Sequence, residues 1–512
     1  MARHFTEQEL RGAAPVWILD LTYAGKVWRF STEAVEIGGN IYEATMSDVG
    51  FSDVIEWASS DFALPSADVK LVFREDIARL VQQGHDLSGA TGELALWIKG
   101  SDYDDRRVVV SGRANVAQYG QDGEPVTFSL EADWLDNSSL YPPAAAVITE
   151  VTWPISHENS RGKVYPTVFG SPPMSPVYGC EIFIGATGLI AGHEVEATQV
   201  TIHGSELTTP VVLNVVYAND DLGYQVATVD LTAIPTVPPG LDQTFWCEWT
   251  HGEAHPNPFR TDSEALTAAG DIIRWALERS GLVIDYGRTI TAVNKLMDYQ
   301  LSGFIGEIGD IMTWLKEEVL ALLPVSLMAG ADGIYPVVWD HNAPSVTQLR
   351  AGGDIYRDGP VKYEDNEIRN EISIKWGYSA QTTDFSNRSS LTGDQVVVTS
   401  DLVGRNIYTI SSRSRYGSRA YEMESSMVGD MSTAGRILAW MSQSYAFKHR
   451  SVTYRAPIDL GWLAPGDIIE LTDSSISMTE QRVMVREIQW GDTEIGLDLL
   501  LIPDLPRDTI VL

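Results

Sequence analysis

This chain of 512 residues has little cysteine, little positive charge and no long apolar run. Its two cysteines, Cys180 and Cys247, stand 67 positions apart, without the paired spacing of a zinc site or a redox motif. Two cysteines suit a reducing compartment, and one disulfide would be a weak staple for a protein whose stability must come from burial. Only 36 Lys and Arg stand against 70 Asp and Glu, a formal net charge of -34. That balance argues against gripping nucleic acid through its phosphates, which needs a basic face. No stretch reaches about 18 apolar residues, and residues 1–17 lack the apolar core and small-residue cleavage site of a signal peptide. A soluble, non-secreted protein with no membrane segment is expected. The phosphate loop Gly-x4-Gly-Lys-Ser/Thr, the peptidase motif His-Glu-x-x-His and the hydrolase elbow Gly-x-Ser-x-Gly are all missing.

What is present is ample material for cores. A hydrophobic content of 44% over this length supports about three or four ordinary domains. The acidity gives solubility, and in a closed ring of such chains it would give a lumen that repels DNA phosphates. Fifteen Trp and 20 Tyr suit large interfaces as well as cores.

Short apolar or alternating runs bounded by turn residues predict strands at 16–21, 26–30, 40–43, 67–73, 93–98 and 125–130. One amphipathic helix interrupts them at 74–83, with Ile77, Leu80 and Val81 at helical spacing and Gly84 as its stop. Residues 141–179 carry Pro142, Pro143, Pro154, Pro166, Pro172, Pro173 and Pro176 among Gly and Ser, the pattern of a linker or extended arm. Strands return at 199–203, 211–217 and 224–231, and Pro238-Pro239-Gly240 ends them. A helix is predicted at 265–279, capped from Thr261, Asp262, Ser263 and Glu264 and stopped by Ser280-Gly281. A second is predicted at 307–322 on Ile308, Ile311, Met312, Leu315, Val319 and Leu322, followed by Pro324 and a hairpin around 330–333. Further strands, 371–376 and 483–488 among them, flank a helix at 432–445 with Ser432 as its cap.

The fold class expected is therefore mainly β with α+β parts, multidomain: two barrel-like β domains, a helical unit and an all-β insertion. The divisions are 1–140, an N-terminal barrel-like domain; 141–179, the Pro/Gly-rich arm; 180–255, the insertion; 256–345, the helical α+β domain; and 346–512, the second barrel-like domain.

Few groups invite chemistry. Cys247, His251 and His255 fall at steps of four and would share a helical face, but Gly252 and Pro256 make the segment a strand end and loop rather than a zinc site. His157 and Glu158 beside Arg161 and Lys163 form the kind of cluster any long chain contains, with no positioned partner legible. Acidic residues are too many for a glycosidase pair to stand out. No catalytic, cofactor-binding or metal residue is assigned, no cofactor is expected, and the chain is read as a non-enzyme.

The ordered series at 411–471 is more specific. Arg415-Tyr416-Gly417 turns the chain, a helix passes through Arg436, Trp440 and Tyr445, and Leu463-Ala464-Pro465-Gly466-Asp467 turns into a strand at 468–471. This order resembles the second barrel-like domain of baseplate or tail-tip hub proteins of long-tailed, siphophage-like bacteriophages. Helix, strand, helix and hairpin over 261–340 resemble the same family, as does the segment from Arg161 through Gly162 and Pro166 to Phe169-Gly170. The resemblance implies a structural virion protein, assembled in the host cytoplasm into a homo-oligomer, a trimeric ring whose two barrel-like domains per chain make six similar units. Such a ring would join the distal tail or tube protein and the tape measure protein to the central spike or fibre protein, and DNA would pass through it without specific binding. Some tail-tip proteins of this kind hold iron-sulfur clusters through several cysteines, and two are too few for an all-cysteine cluster. The competing readings are a distal tail or adaptor ring protein and a cell-wall hydrolase or carbohydrate-binding tip module.

Overall fold

The computed structural model describes the chain apart from residues 1–5, 11–12, 14, 55–65, 73–78, 80–81, 86, 120–124, 133–138, 155, 157, 180–186, 206, 235–243, 261–264, 365, 392–402, 492–493, 503–509 and 512. The protein is mainly β, multi-sheet and multidomain. After a short helix α1 (Glu7–Leu10), antiparallel pairing dominates the first 131 residues. The strand Ser66–Leu71 alternates strictly, with Ala67, Val69 and Leu71 inward. Pro15–Tyr23 is buried on both faces: Trp17, Leu19 and Leu21 join one core, Val16 and Ile18 another with Tyr42 and Trp97. Ala24 and Gly25, both at positive φ, make the two-residue turn that returns it to Lys26–Ser31. The predicted helix at 74–83 falls largely outside the described residues, and Gly84, read as its stop, has φ 87°.

The terminal β regions are hydrogen-bonded into one 16-stranded sheet. Residues 51–54 of the strand Met46–Val54 pair antiparallel with 487–490 of Met478–Trp490. Leu19, Val69 and Leu130 consequently share a core with Val452, Leu471, Val485 and Leu499. Residues 346–512 divide between two cores. Strands near 347–363 and 450–501 belong to the large sheet, whereas Glu371–Ser379, Asp384–Leu391, Val403–Asn406, Ala420–Glu424 and Ile510–Val511 form a separate five-stranded sheet. Ile372, Ile374 and Met423 on that second sheet pack with the helices of 269–445.

The expected arm at 141–179 is instead a packed segment. Its aromatic residues give it buried anchors: Trp153 Nε1 donates to Tyr165 Oη (2.8 Å), which donates to Asp220 Oδ2 (2.9 Å). Thr167–Phe169 pairs with Gly303–Ile305. Ser175–Gly179 then enters a closed six-stranded barrel with Thr187–Ala191, Gln225–Asp230, Val211–Asn219, Gln199–Gly204 and Phe245–His251. The turn read at 238–240 and the cap read at 261–264 lie outside the described residues.

Helix α2 (Ala269–Arg279) buries Ile272, Ile273, Trp275 and Leu277, each burial contributing about 1.5–3 kcal/mol. Helix α3 (Tyr286–Val293) is capped by Asp285, whose carboxylate accepts from Arg288 N. The second predicted helix starts later than 307, because Gly309–Asp310 pairs with Leu140–Tyr141. Asp310 accepts from Thr313 N (2.8 Å) and opens α4 (Ile311–Trp314), which continues as a π turn to Val319. The hairpin Val325–Gly330 with Gly333–Val338 forms as read.

Two corrections fall in the most specific stretch. Arg415-Tyr416-Gly417 ends a helix, α5 (Ile407–Tyr416), which Asn406 caps and Gly417 at φ 71° terminates. Helix α6 (Met431–Tyr445) is capped by Asp430, whose Oδ1 accepts from Thr433 N (3.0 Å), and Ser432 lies inside it. Aspartate wins because its carboxylate reaches the N3 amide that Ser432 is already too far along the chain to satisfy. The turn at 463–467 forms as predicted: Asp467 Oδ2 accepts from Ala464 N (2.8 Å) and Gly466 sits at φ 93°.

Candidate functional site

Cys247, His251 and His255 do not converge on a metal site. Residues 247 and 251 lie on a strand, not a helix, and Cys247 points into the barrel core with Ile202, Val229 and Trp249, where burial pushes its thiol pKa up. No group of three or more His, Cys, Asp or Glu suited to a metal occurs among the described residues. His157 lies outside the described residues, Glu158 sits in a short 3-10 turn, and Arg161 pairs with Glu150 at 2.6 Å on the surface. Lys163 joins the fold through its backbone, its carbonyl accepting from Ile148 N.

His255 belongs to a buried junction that the sequence reading missed. It leaves the last barrel strand and stacks on His193, which follows the second, with ring centroids 4.3 Å apart. Phe169 stacks on His255 at 6.1 Å and on Trp314 at 5.7 Å, and meets Trp275 edge-on at 5.0 Å. Tyr141 meets Trp275 edge-on at 5.1 Å, and the Arg279 guanidinium lies 4.1 Å over the Trp275 ring. Barrel, packed segment and helices α2 and α4 therefore meet in one aromatic cluster.

The amide of Val168 holds His193 in the neutral form, and burial does the same for His255. His193 Nδ1 donates to Glu194 O (2.7 Å) while Nε2 accepts from Val168 N (3.0 Å), and His255 Nδ1 donates to Pro256 O (2.7 Å). Burial, then the neighbouring His255, pushes His193 down to about 3; burial, with opposition from the Pro256 carbonyl, pushes His255 down to about 4. With the His193 Nε2 lone pair held by Val168, this pair is a structural clamp rather than a ligand set or an acid-base dyad.

A second junction joins the two terminal β regions. Arg107, on Arg107–Tyr119, is buried, places Nη2 2.7 Å from Asp53 Oδ2 and lies 4.8 Å over the Trp490 ring. Its charge thus sits where the strands at 51–54 and 487–490 meet.

Two open pockets lie on the helical side. One, about 260 Å³, is bordered by Asp298, Tyr299, Asp340 and Arg436, with Arg436 Nη1 3.3 Å from Asp298 Oδ2. The other, about 470 Å³, runs between Asn366, Glu367, Ser418, Arg419 and Lys448 beside the strand Ala420–Glu424. Neither holds the nucleophile-and-base pair of a hydrolase.

Residues 404–488 match the model of a family described as "Putative phage tail protein". The series at 411–471, which carries the resemblance in the sequence, lies inside that match. No curated protein matches the chain. Among solved structures, the tail protein from Neisseria meningitidis MC58 is 10% identical, with 95% of this chain and 97% of that one covered and a TM-score of 0.36. The 43 kDa tail protein of prophage MuSo2 from Shewanella oneidensis is 9% identical over 95% and 98%, with a TM-score of 0.35. A chain of the virion of the native gene transfer agent particle is 11% identical over 69% and 88%, with a TM-score of 0.42.

Proposed function

We propose that this chain is a structural subunit of a phage tail tip or baseplate, a hub that assembles as a threefold ring between the tail tube and the central spike or fibre. The observation that carries the reading is the phage-tail match at 404–488. It falls on a protein whose terminal β regions share one sheet and one core. A plate built this way transmits load between its ends without hinging, as an element clamped between tube and spike must. Its role is mechanical rather than enzymatic, and its site of action is the virion. Three copies bring three times the formal charge of -34, so a channel through the ring repels DNA and lets it slide past without specific contacts. The distal tail or tube protein, the tape measure protein and the spike or fibre protein are its partners.

The test is mass by light scattering on the purified protein, paired with negative-stain images. A ring of three supports the hub. A ring of six favours the distal adaptor reading instead, and a stable monomer that releases muropeptides from purified cell wall sinks both.

A further inference from the structure

Charge is segregated along this chain. Residues 164–259, which contain the whole small barrel, hold ten Asp and Glu and no Lys or Arg. Residues 402–421 and 431–458 hold eight Lys and Arg and no Asp or Glu. Among the described residues, Arg413 pairs with Glu371 (2.8 Å), Arg436 with Asp298 (3.3 Å) and Arg455 with Asp358 (3.1 Å). Arg415, Arg419 and Arg450 have no carboxylate at ion-pair distance among the described residues, and Arg415 and Arg419 are exposed.

These cations gather at one place. The end of α5 packs on the end of α6 through Tyr416 and Phe447, whose rings are 6.2 Å apart. Arg415, whose guanidinium lies over Tyr416, is thereby carried on the helix end that packs against Phe447, the residue before Lys448. Lys448 and Arg419 border the groove of about 470 Å³, where Lys448 Nζ donates to Asn366 O (2.6 Å). The one carboxylate bordering the groove, Glu367, is matched by Arg369 at 3.2 Å.

The strand Glu371–Ser379 separates this groove from the barrel. At its start, Asn370 N and Glu371 N donate to Arg419 O; at its end, Ala380 N donates to Met174 O, next to the first barrel strand. Nine residues of strand span about 30 Å, three times the screening length of about 10 Å at 0.1 M salt. Within one copy the two fields therefore cannot neutralise each other. Two copies set head to tail bring them together, and a heterologous contact of this kind closes into a ring when its rotation permits.

We propose that the groove around Arg415, Arg419 and Lys448 docks the anionic barrel of a neighbouring copy of this chain. This rests on the ring reading above and specifies its interface. Of the barrel carboxylates, Glu194, Asp221 and Asp230 are exposed and available to the contact. The complementarity of a cation-free barrel and a groove whose one bordering carboxylate is already paired favours a second copy, because each copy carries both surfaces and a head-to-tail contact can repeat.

The experiment compares self-association of the full chain by sedimentation at about 0.05 M and about 0.5 M salt. Arg415→Glu with Arg419→Glu, and separately Glu194→Lys with Asp221→Lys, should each weaken association by at least about tenfold at low salt. Combining the two sets should recover it, and Arg415→Lys with Arg419→Lys should retain it. Because all four sites are exposed, unchanged circular dichroism establishes that each variant is folded. Wild-type association of the Arg→Glu variant, or no recovery in the combined variant, overturns this interface while leaving the ring intact. A folded wild type that stays monomeric at low salt and high concentration overturns the ring and the interface together.

Discussion

Replacing Arg107 by methionine tests whether the two terminal β regions act as one body. The Arg107 side chain is only 6% exposed and Asp53 16%, so their ion pair is largely out of water. Removing one partner of a buried pair costs about 3–5 kcal/mol, since the remaining charge loses its compensation. Asp53 keeps some solvent contact, which favours the low end, and the lost contact with Trp490 adds about 1 kcal/mol. Arg107→Met should therefore cost about 3–4 kcal/mol. Asp53→Asn, which keeps shape and one hydrogen bond, should cost about 2 kcal/mol. The double variant removes both charges, so the two losses should fail to add by about 2 kcal/mol. The assay is urea unfolding followed by tryptophan fluorescence. Four residue pairs join the strands at this seam among the described residues, so weakening it should also let the N-terminal strands melt separately, seen as a second transition. A single transition displaced by less than about 1 kcal/mol in Arg107→Met would falsify the account of the seam.

Three further outcomes are expected. Because His193 and His255 are held neutral at about 3 and about 4, the unfolded chain binds more protons than the folded one below about pH 6.5; stability is present above that pH and falls as pH drops toward 4. His255 alone should lose about 2 kcal/mol between pH 7 and pH 5, and urea midpoints of His255→Gln should show a correspondingly shallower decline over that interval. Gly112→Ala should cost about 3 kcal/mol or more, because its new Cβ would lie 1.8 Å from the Glu131 carbonyl oxygen. Gly100→Ala, with nothing within 4 Å but φ at 93°, should cost only about 1 kcal/mol by thermal melting. The buried Cys247 thiol should resist a thiol-specific reagent in the native protein and react on unfolding; native reaction at the free-thiol rate would count against its placement in the barrel core.

Much of the β content was legible because it follows from period-two alternation, as at Ser66–Leu71, and from turn chemistry, as at Ala464–Asp467. The strand Arg107–Tyr119 was missed because its pairing slips between Asn115 and Gln118, which breaks the alternation a reader looks for. Helix α5 was missed because its Ser- and Arg-rich second half, Ser411 to Arg415, lacks an apolar stripe. The segment at 141–179 was read as an arm from its prolines, since composition reports where regular structure stops and not whether an irregular chain is packed.

The sequence by itself determined the charge, the lack of motif-based chemistry, most strands and the resemblance that residues 411–471 carry. It also contained the segregation of acidic from basic stretches, visible in a simple count. The tertiary structure alone decided that the terminal β regions share a sheet, that His193 meets His255 and that the basic groove and the anionic barrel sit at opposite ends of Glu371–Ser379. The reason is that local periodicity is set by neighbours a few residues away. Which faces meet is set by burial between elements hundreds of residues apart, whose pairing leaves no local signature.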